Sequence, residues 1–100
     1  MSGGDYNFID EMISIFKDQI QEYAEEMPRL LENADYDNLS KLAHKAKSSV
    51  AVMGMAGEAD SLMQLELLAR DAKDTDTYII YIDRFIANSK IALAELEEDR

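Results

Sequence analysis

Hydrophobic positions along the chain recur in steps of three and four. Phe8, Met12, Ile15, Phe16, Tyr23, Met27, Leu30 and Leu31 make the first such stripe, the mark of an amphipathic helix with one face toward a core. Asp5 or Asn7 can cap its start. Pro28 interrupts the run, because its ring removes a backbone donor and crowds the carbonyl of Ala24. The pattern predicts either a kink at Pro28 or two helices, roughly 6–20 and 22–33.

Asn33-Ala34-Asp35-Tyr36-Asp37 reads as a capping segment before a second run, from Leu39 to Met53. Gly54 and Gly57 end that run and permit a tight turn. A third run, from about Ala59 to Ala72, carries Leu62, Leu65, Leu68 and Ala69. Asp74-Thr75-Asp76 then caps a last helix with Tyr78, Ile82, Phe85, Ser89, Ala92 and Leu96 along one stripe. No stretch alternates with period two for long, and there is no internal repeat. Helices with short links predict an all-α fold, an up-and-down antiparallel four-helix bundle whose first helix is kinked or split near Pro28.

Composition narrows the function. One hundred residues suit a single domain spanning 1–100, and a hydrophobic fraction of 47% suits a globular one. A net charge of −11 is opposite to what a general nucleic-acid binder needs. Without cysteine there are no disulfides, no thiolate chemistry and none of the usual zinc sites. No apolar run reaches the ~20 residues of a membrane span. The opening Met1-Ser2-Gly3-Gly4-Asp5 has neither a signal core nor the glycine that myristoylation requires. The expectation is a cytoplasmic protein with no membrane insertion, and the surface charge favours a monomer.

The helix of residues 36–53 holds the only histidine. At about 100° per residue, Leu39, Leu42, Ala43, Ala46, Val50 and Met53 share one sector, and His44 lies about 155° from its middle. The imidazole should face solvent. Ser40 one turn before, Ser48 one turn after and Ala51 two turns after are small, so a partner surface can approach the ring. Lys47 can swing its ammonium beside it. Lys41, Lys45 and Lys47 make the local potential positive on an acidic molecule.

A histidine at its ordinary pKa of about 6.5 is mostly neutral and nucleophilic at pH 7. A neighbouring ammonium attracts phosphoryl oxygens, and phosphoryl transfer is largely positioning plus charge stabilisation. Taken alone, a surface histidine is as often inert, and three lysines as often a solvated face.

The residues match a known pattern. Ala43-His44-x-x-Lys47-Ser48-Ser49, with Gly54 ten positions after the histidine and Leu65-Glu66 on the next helix, resembles the signature of histidine-containing phosphotransfer (HPt) domains. Gly3-Gly4-Asp5, Phe8-Ile9 and Phe16 resemble that family's opening helix. The resemblance implies a four-helix bundle in a multistep phosphorelay. His44 would accept a phosphoryl group from an aspartate of a response-regulator receiver domain and pass it on, and Lys47 would steady that group.

The implied partners are receiver domains and a hybrid sensor kinase. Ser40, Lys45, Ser48, Ala51 and Met55 form the expected docking rim, with Met55 turned to the outer face. Gly54 supports the site by ending the helix and allowing close packing. Glu66 either faces the histidine from the neighbouring helix or is an ordinary exposed glutamate. Ser48 stands where the family commonly has glycine, and Ala46 where it has leucine. Members often carry another helix before the segment that opens this chain, which leaves room for a fragment or a shortened form.

Other chemistries fit less well. A di-iron bundle needs Glu-x-x-His pairs, and position 41 is lysine. Asn33-x-Asp35-x-Asp37 mimics a calcium loop, but Asn38 replaces its glycine and His44 its last glutamate. No second histidine can serve as base for a serine, and no phosphate loop or kinase motif is present. No ATP site, autokinase activity, metal or cofactor is expected, and any magnesium would belong to the receiver. The competing reading is a helical adaptor that binds a signalling partner without phosphotransfer.

Overall fold

The computed structural model describes residues 3–98, with side chains from Asp10 onward. The periodic runs become four α-helices: α1 (Gly3–Glu32), α2 (Tyr36–Val52), α3 (Ala56–Arg70) and α4 (Tyr78–Glu98), the last entered through a 3₁₀ turn, Thr75–Thr77. Cross-helix contacts set their directions. Glu58 meets Asn88 while Leu68 meets Tyr78, so α3 and α4 run antiparallel. Lys17 meets Glu97 while Tyr23 meets Phe85, so α1 and α4 do too. The all-α four-helix bundle expected from the pattern is the fold.

The core draws on all four helices. Phe16, Ile20, Tyr23, Met27 and Leu30 come from α1; Leu39, Ala43, Ala46 and Val50 from α2; Leu62, Leu65 and Ala69 from α3; Tyr78, Ile82 and Phe85 from α4. Full burial of such a large apolar side chain contributes roughly 1.5–3 kcal/mol. Ala46 is fully buried in the α2 stripe.

At Pro28 the first helix removes the split alternative, and its buried stripe differs from the one expected. It is one α-helix through Pro28, neither split nor ended there. Proline costs one bond to the carbonyl of Ala24, but Met27 and Leu30 on either side are buried and hold the last turns to the core. Its buried stripe is Ile13, Phe16, Ile20, Tyr23, Met27 and Leu30, while Ile15 is 58% exposed. Ile13 and Ile20 complete an unbroken three–four spacing that Ile15 leaves by one residue. The helical backbone runs through Asp5, Asn7 and Phe8; their side chains lie outside those described.

Three helices end in the same manner. Asp35 N–H bonds Leu30 O, Met55 N–H bonds Val50 O and Lys73 N–H bonds Leu68 O, each closing a last turn around a residue of positive φ. Those residues are Ala34, Gly54 and Ala72. Gly54, at φ +78°, is a cap rather than a packing device, since nothing lies within 4 Å of where its Cβ would be. Gly57 ends nothing; it sits in the first turn of α3. Asp35 caps α2, its carboxylate accepting from Asn38 N–H. Asp74 works through its backbone: its carbonyl accepts from the Thr77 hydroxyl at 2.6 Å, with no side-chain cap. None of the described helices is long and apolar enough to cross a membrane.

Candidate functional site

Buried Ala43 and Ala46 on the inner side of α2 turn His44 outward, and 60% of its side chain is exposed. The outward placement expected from the wheel is what the fold delivers. Across from it, buried Leu62, Leu65 and Ala69 hold α3 against the core. That register turns Glu66 toward α2.

Glu66 faces the histidine and also the lysine. Its Oε2 lies 3.0 Å from His44 Nδ1 and its Oε1 lies 3.3 Å from Lys47 Nζ. The carboxylate therefore spans the two residues of the His-x-x-Lys element from the neighbouring helix. Burial opposes its charge, but the hydrogen bonds from His44 and Lys47 and the lysine's charge outweigh that and hold its carboxyl below its usual value. An ionised carboxylate only accepts, so in the neutral ring Nδ1 carries the proton and Nε2 keeps its lone pair. No described residue hydrogen-bonds Nε2.

The expected docking rim divides. Lys45, Ser48 and Ala51 are exposed. Ser40 is not part of it: at 7% exposure it is buried, and its hydroxyl donates to the Glu66 carbonyl at 2.8 Å. One turn before His44, Ser40 falls on the side of α2 that meets α3, so it pins the backbone from which Glu66 projects. Met55 is only half exposed, because it starts α3 and packs on the core instead of continuing the outer face of α2. Ser48 donates weakly to the His44 carbonyl at 3.5 Å, and Tyr23 OH reaches Ser49 at 3.0 Å, tying α1 to α2.

The lysine cluster is less uniformly positive than expected. Lys41 pairs with Asp37 at 3.3 Å and Lys47 with Glu66. Toward the start of α2, a shallow groove of about 370 Å³ runs from His44 past Asp37, Ser40 and Lys41 to Arg70. Arg70 was not anticipated, although its place one turn after Glu66 carries the signal. No group of three or more acidic or histidine side chains that could hold a metal ion occurs among the described residues.

The arrangement presents a solvent-facing imidazole nitrogen with its other nitrogen held, and an ammonium three residues away on the same carboxylate. Such a pair can accept an electrophilic group on Nε2 from a partner surface. Among known proteins, the family model of the Hpt domain matches residues 11–98. No curated protein and no solved structure matches the chain.

Proposed function

The chain belongs to the Hpt domain family, the histidine phosphotransfer modules of phosphorelays, and from that premise we propose that it shuttles a phosphoryl group between aspartates of receiver domains through His44. The observation that carries the proposal is the Glu66 carboxylate 3.0 Å from Nδ1, which leaves Nε2 as the nucleophile. In the forward step the Nε2 lone pair forms the N–P bond while the P–O bond to the partner's aspartate breaks. The electron pair leaves with the carboxylate oxygen. The imidazolium so formed keeps its Nδ1 proton on Glu66, and the step reverses when a second aspartate attacks.

Lys47 begins on Glu66, the carboxylate it shares with His44, and its ammonium can turn from there toward the arriving phosphoryl oxygens. Lys45, Ser48 and Ala51 form the surface around the ring on which the receiver rests. The phosphoryl group comes from the partner, as does any magnesium that the exchange requires. A hybrid sensor kinase would charge the first receiver.

The test is a transfer assay. Receiver domains charged with a small-molecule phosphodonor are mixed with the protein, and acid-labile phosphate is sought by intact mass. Label on the wild type and none on a His44→Gln variant of unchanged helicity is the expected result. Receiver binding without label from any receiver would overturn the shuttle and leave a non-transferring adaptor.

A further inference from the structure

Helix α4 keeps an apolar stripe that the core does not use. Ile80 is 62% exposed and Ile91 57%, and Ala87 and Ala94 are exposed beside them. At about 100° per residue these four fall within about 40° of Ile80, on the side opposite buried Tyr78, Ile82, Phe85 and Ser89. α1 and α3 each pack against both α2 and α4, so the stripe looks away from the face that carries His44.

The charge around the stripe runs against that of the molecule. The chain carries a net −11, yet from Tyr78 to Ala94 its charged residues are one aspartate, Asp83, and two cations, Arg84 and Lys90. All three are exposed, and none forms an ion pair or side-chain hydrogen bond among the described residues. Asp83 and Lys90 share one flank of the stripe, two turns or about 10 Å apart. Arg84 and Glu95 share the other.

A two-fold axis crossing the stripe at Ala87 makes this pattern complementary to itself. In an antiparallel pair each flank meets the same flank of the other copy, and positions equally far before and after Ala87 stand opposite one another. Ala87 then meets Ala87, and small side chains at the axis let the two backbones approach. Ile80 meets Ala94 of the second copy, large against small at both ends. Asp83, four residues before the axis, reaches Lys90, three after it, and the pair forms twice. A parallel pair would instead set Arg84 beside Arg84 at the edge of the stripe, where like charges repel.

We propose that the outer face of α4 is a self-association surface: two copies pair antiparallel across Ile80, Ala87, Ile91 and Ala94, kept in register by Asp83 with Lys90 of the second copy, and both His44 rings stay open to solvent. The net charge that favours a monomer sits on other faces, so it weakens this pairing without blocking it.

Sedimentation equilibrium over roughly 10 μM to 1 mM should show the average mass rising from one chain toward two, as expected of a small interface. Asp83→Lys and Lys90→Asp should each weaken association about tenfold or more, because each sets like charges together twice. Mixed, the two variants should pair about as tightly as wild type, since each supplies the charge that the other lacks. Ile80→Ser/Ile91→Ser, with helicity unchanged, should stay a single chain throughout.

A single-chain mass for the wild type over the whole range, or no recovery in the mixture, would overturn the pairing. Methyl shifts at Ile80 and Ile91 on adding a receiver domain, with none on concentrating the chain alone, would overturn it too and assign the stripe to another protein.

Discussion

Glu66→Gln isolates the part of the site that lies off the motif helix. The glutamate accepts from two donors, His44 Nδ1 at 3.0 Å and Lys47 Nζ at 3.3 Å. A glutamine offers one oxygen and one NH₂ in the same place. Lys47 can only donate, so the oxygen turns to it and the NH₂ turns to the imidazole. Nδ1 must then accept, the proton moves to Nε2, and the nucleophilic lone pair is lost from the solvent-facing nitrogen.

Recovering the reactive tautomer means giving up one charge-assisted hydrogen bond. Such bonds contribute about 1.5–3 kcal/mol. The imidazole is 60% exposed, so solvent screening leaves about 1 kcal/mol. At about 1.4 kcal/mol per factor of ten, transfer should slow roughly three- to tenfold. Single-turnover transfer from a phosphorylated receiver, followed by quench and intact mass, gives the rate. The ¹⁵N shifts of the His44 ring report the tautomer independently. Wild-type rates with ¹⁵N shifts still showing a protonated Nδ1 would refute the argument, since the carboxylate would then not be what orients the ring.

Lys47→Ala should slow transfer while changing unfolding free energy by no more than about 0.5–1 kcal/mol, because its ion pair is partly solvated; unchanged transfer would remove its electrostatic role. Ser40→Ala should destabilise by about 1 kcal/mol through loss of the buried bond to the Glu66 carbonyl, and should loosen Glu66 enough to broaden the His44 ring signals. Ala34→Gly should raise stability by about 0.5 kcal/mol in urea unfolding, relieving the left-handed cap at φ 53° at some cost in unfolded-chain entropy; a loss of stability would mean the cap is unstrained. For pH, the Glu66 carboxyl is held below its ordinary 4.5 in the folded protein. Its stabilising contribution is fully present above that value and is lost as pH falls through the depressed one. The stability gap between wild type and Glu66→Gln should therefore close as pH falls below 4.5 and through the depressed value.

The linear pattern determined a great deal of this protein. Helical spacing placed Leu39, Ala43, Ala46 and Val50 inside and His44 outside, because the side-chain direction along a helix follows from position alone. Turn chemistry around Asp35 and Gly54 marked where α2 begins and stops. The His-x-x-Lys spacing with Leu65-Glu66 identified the family that the match over residues 11–98 shows.

What periodicity cannot supply is the relation between helices. Pro28 looked like a break in isolation, yet packing of Met27 and Leu30 on both sides carries α1 through it. Ser40 has the same wheel position relative to His44 whether it meets solvent or another helix, and only the arrival of α3 buries it under Glu66. Ile15 belonged to a reasonable apolar stripe until Ile13 and Ile20 took the core, leaving it exposed in a shallow cleft between α1 and α2 that Val52 also lines. The approach of α3 along α2 joins Glu66 to residues 22 and 19 positions earlier in the chain. No local rule encodes that separation, because it is set by how four apolar stripes fill one core.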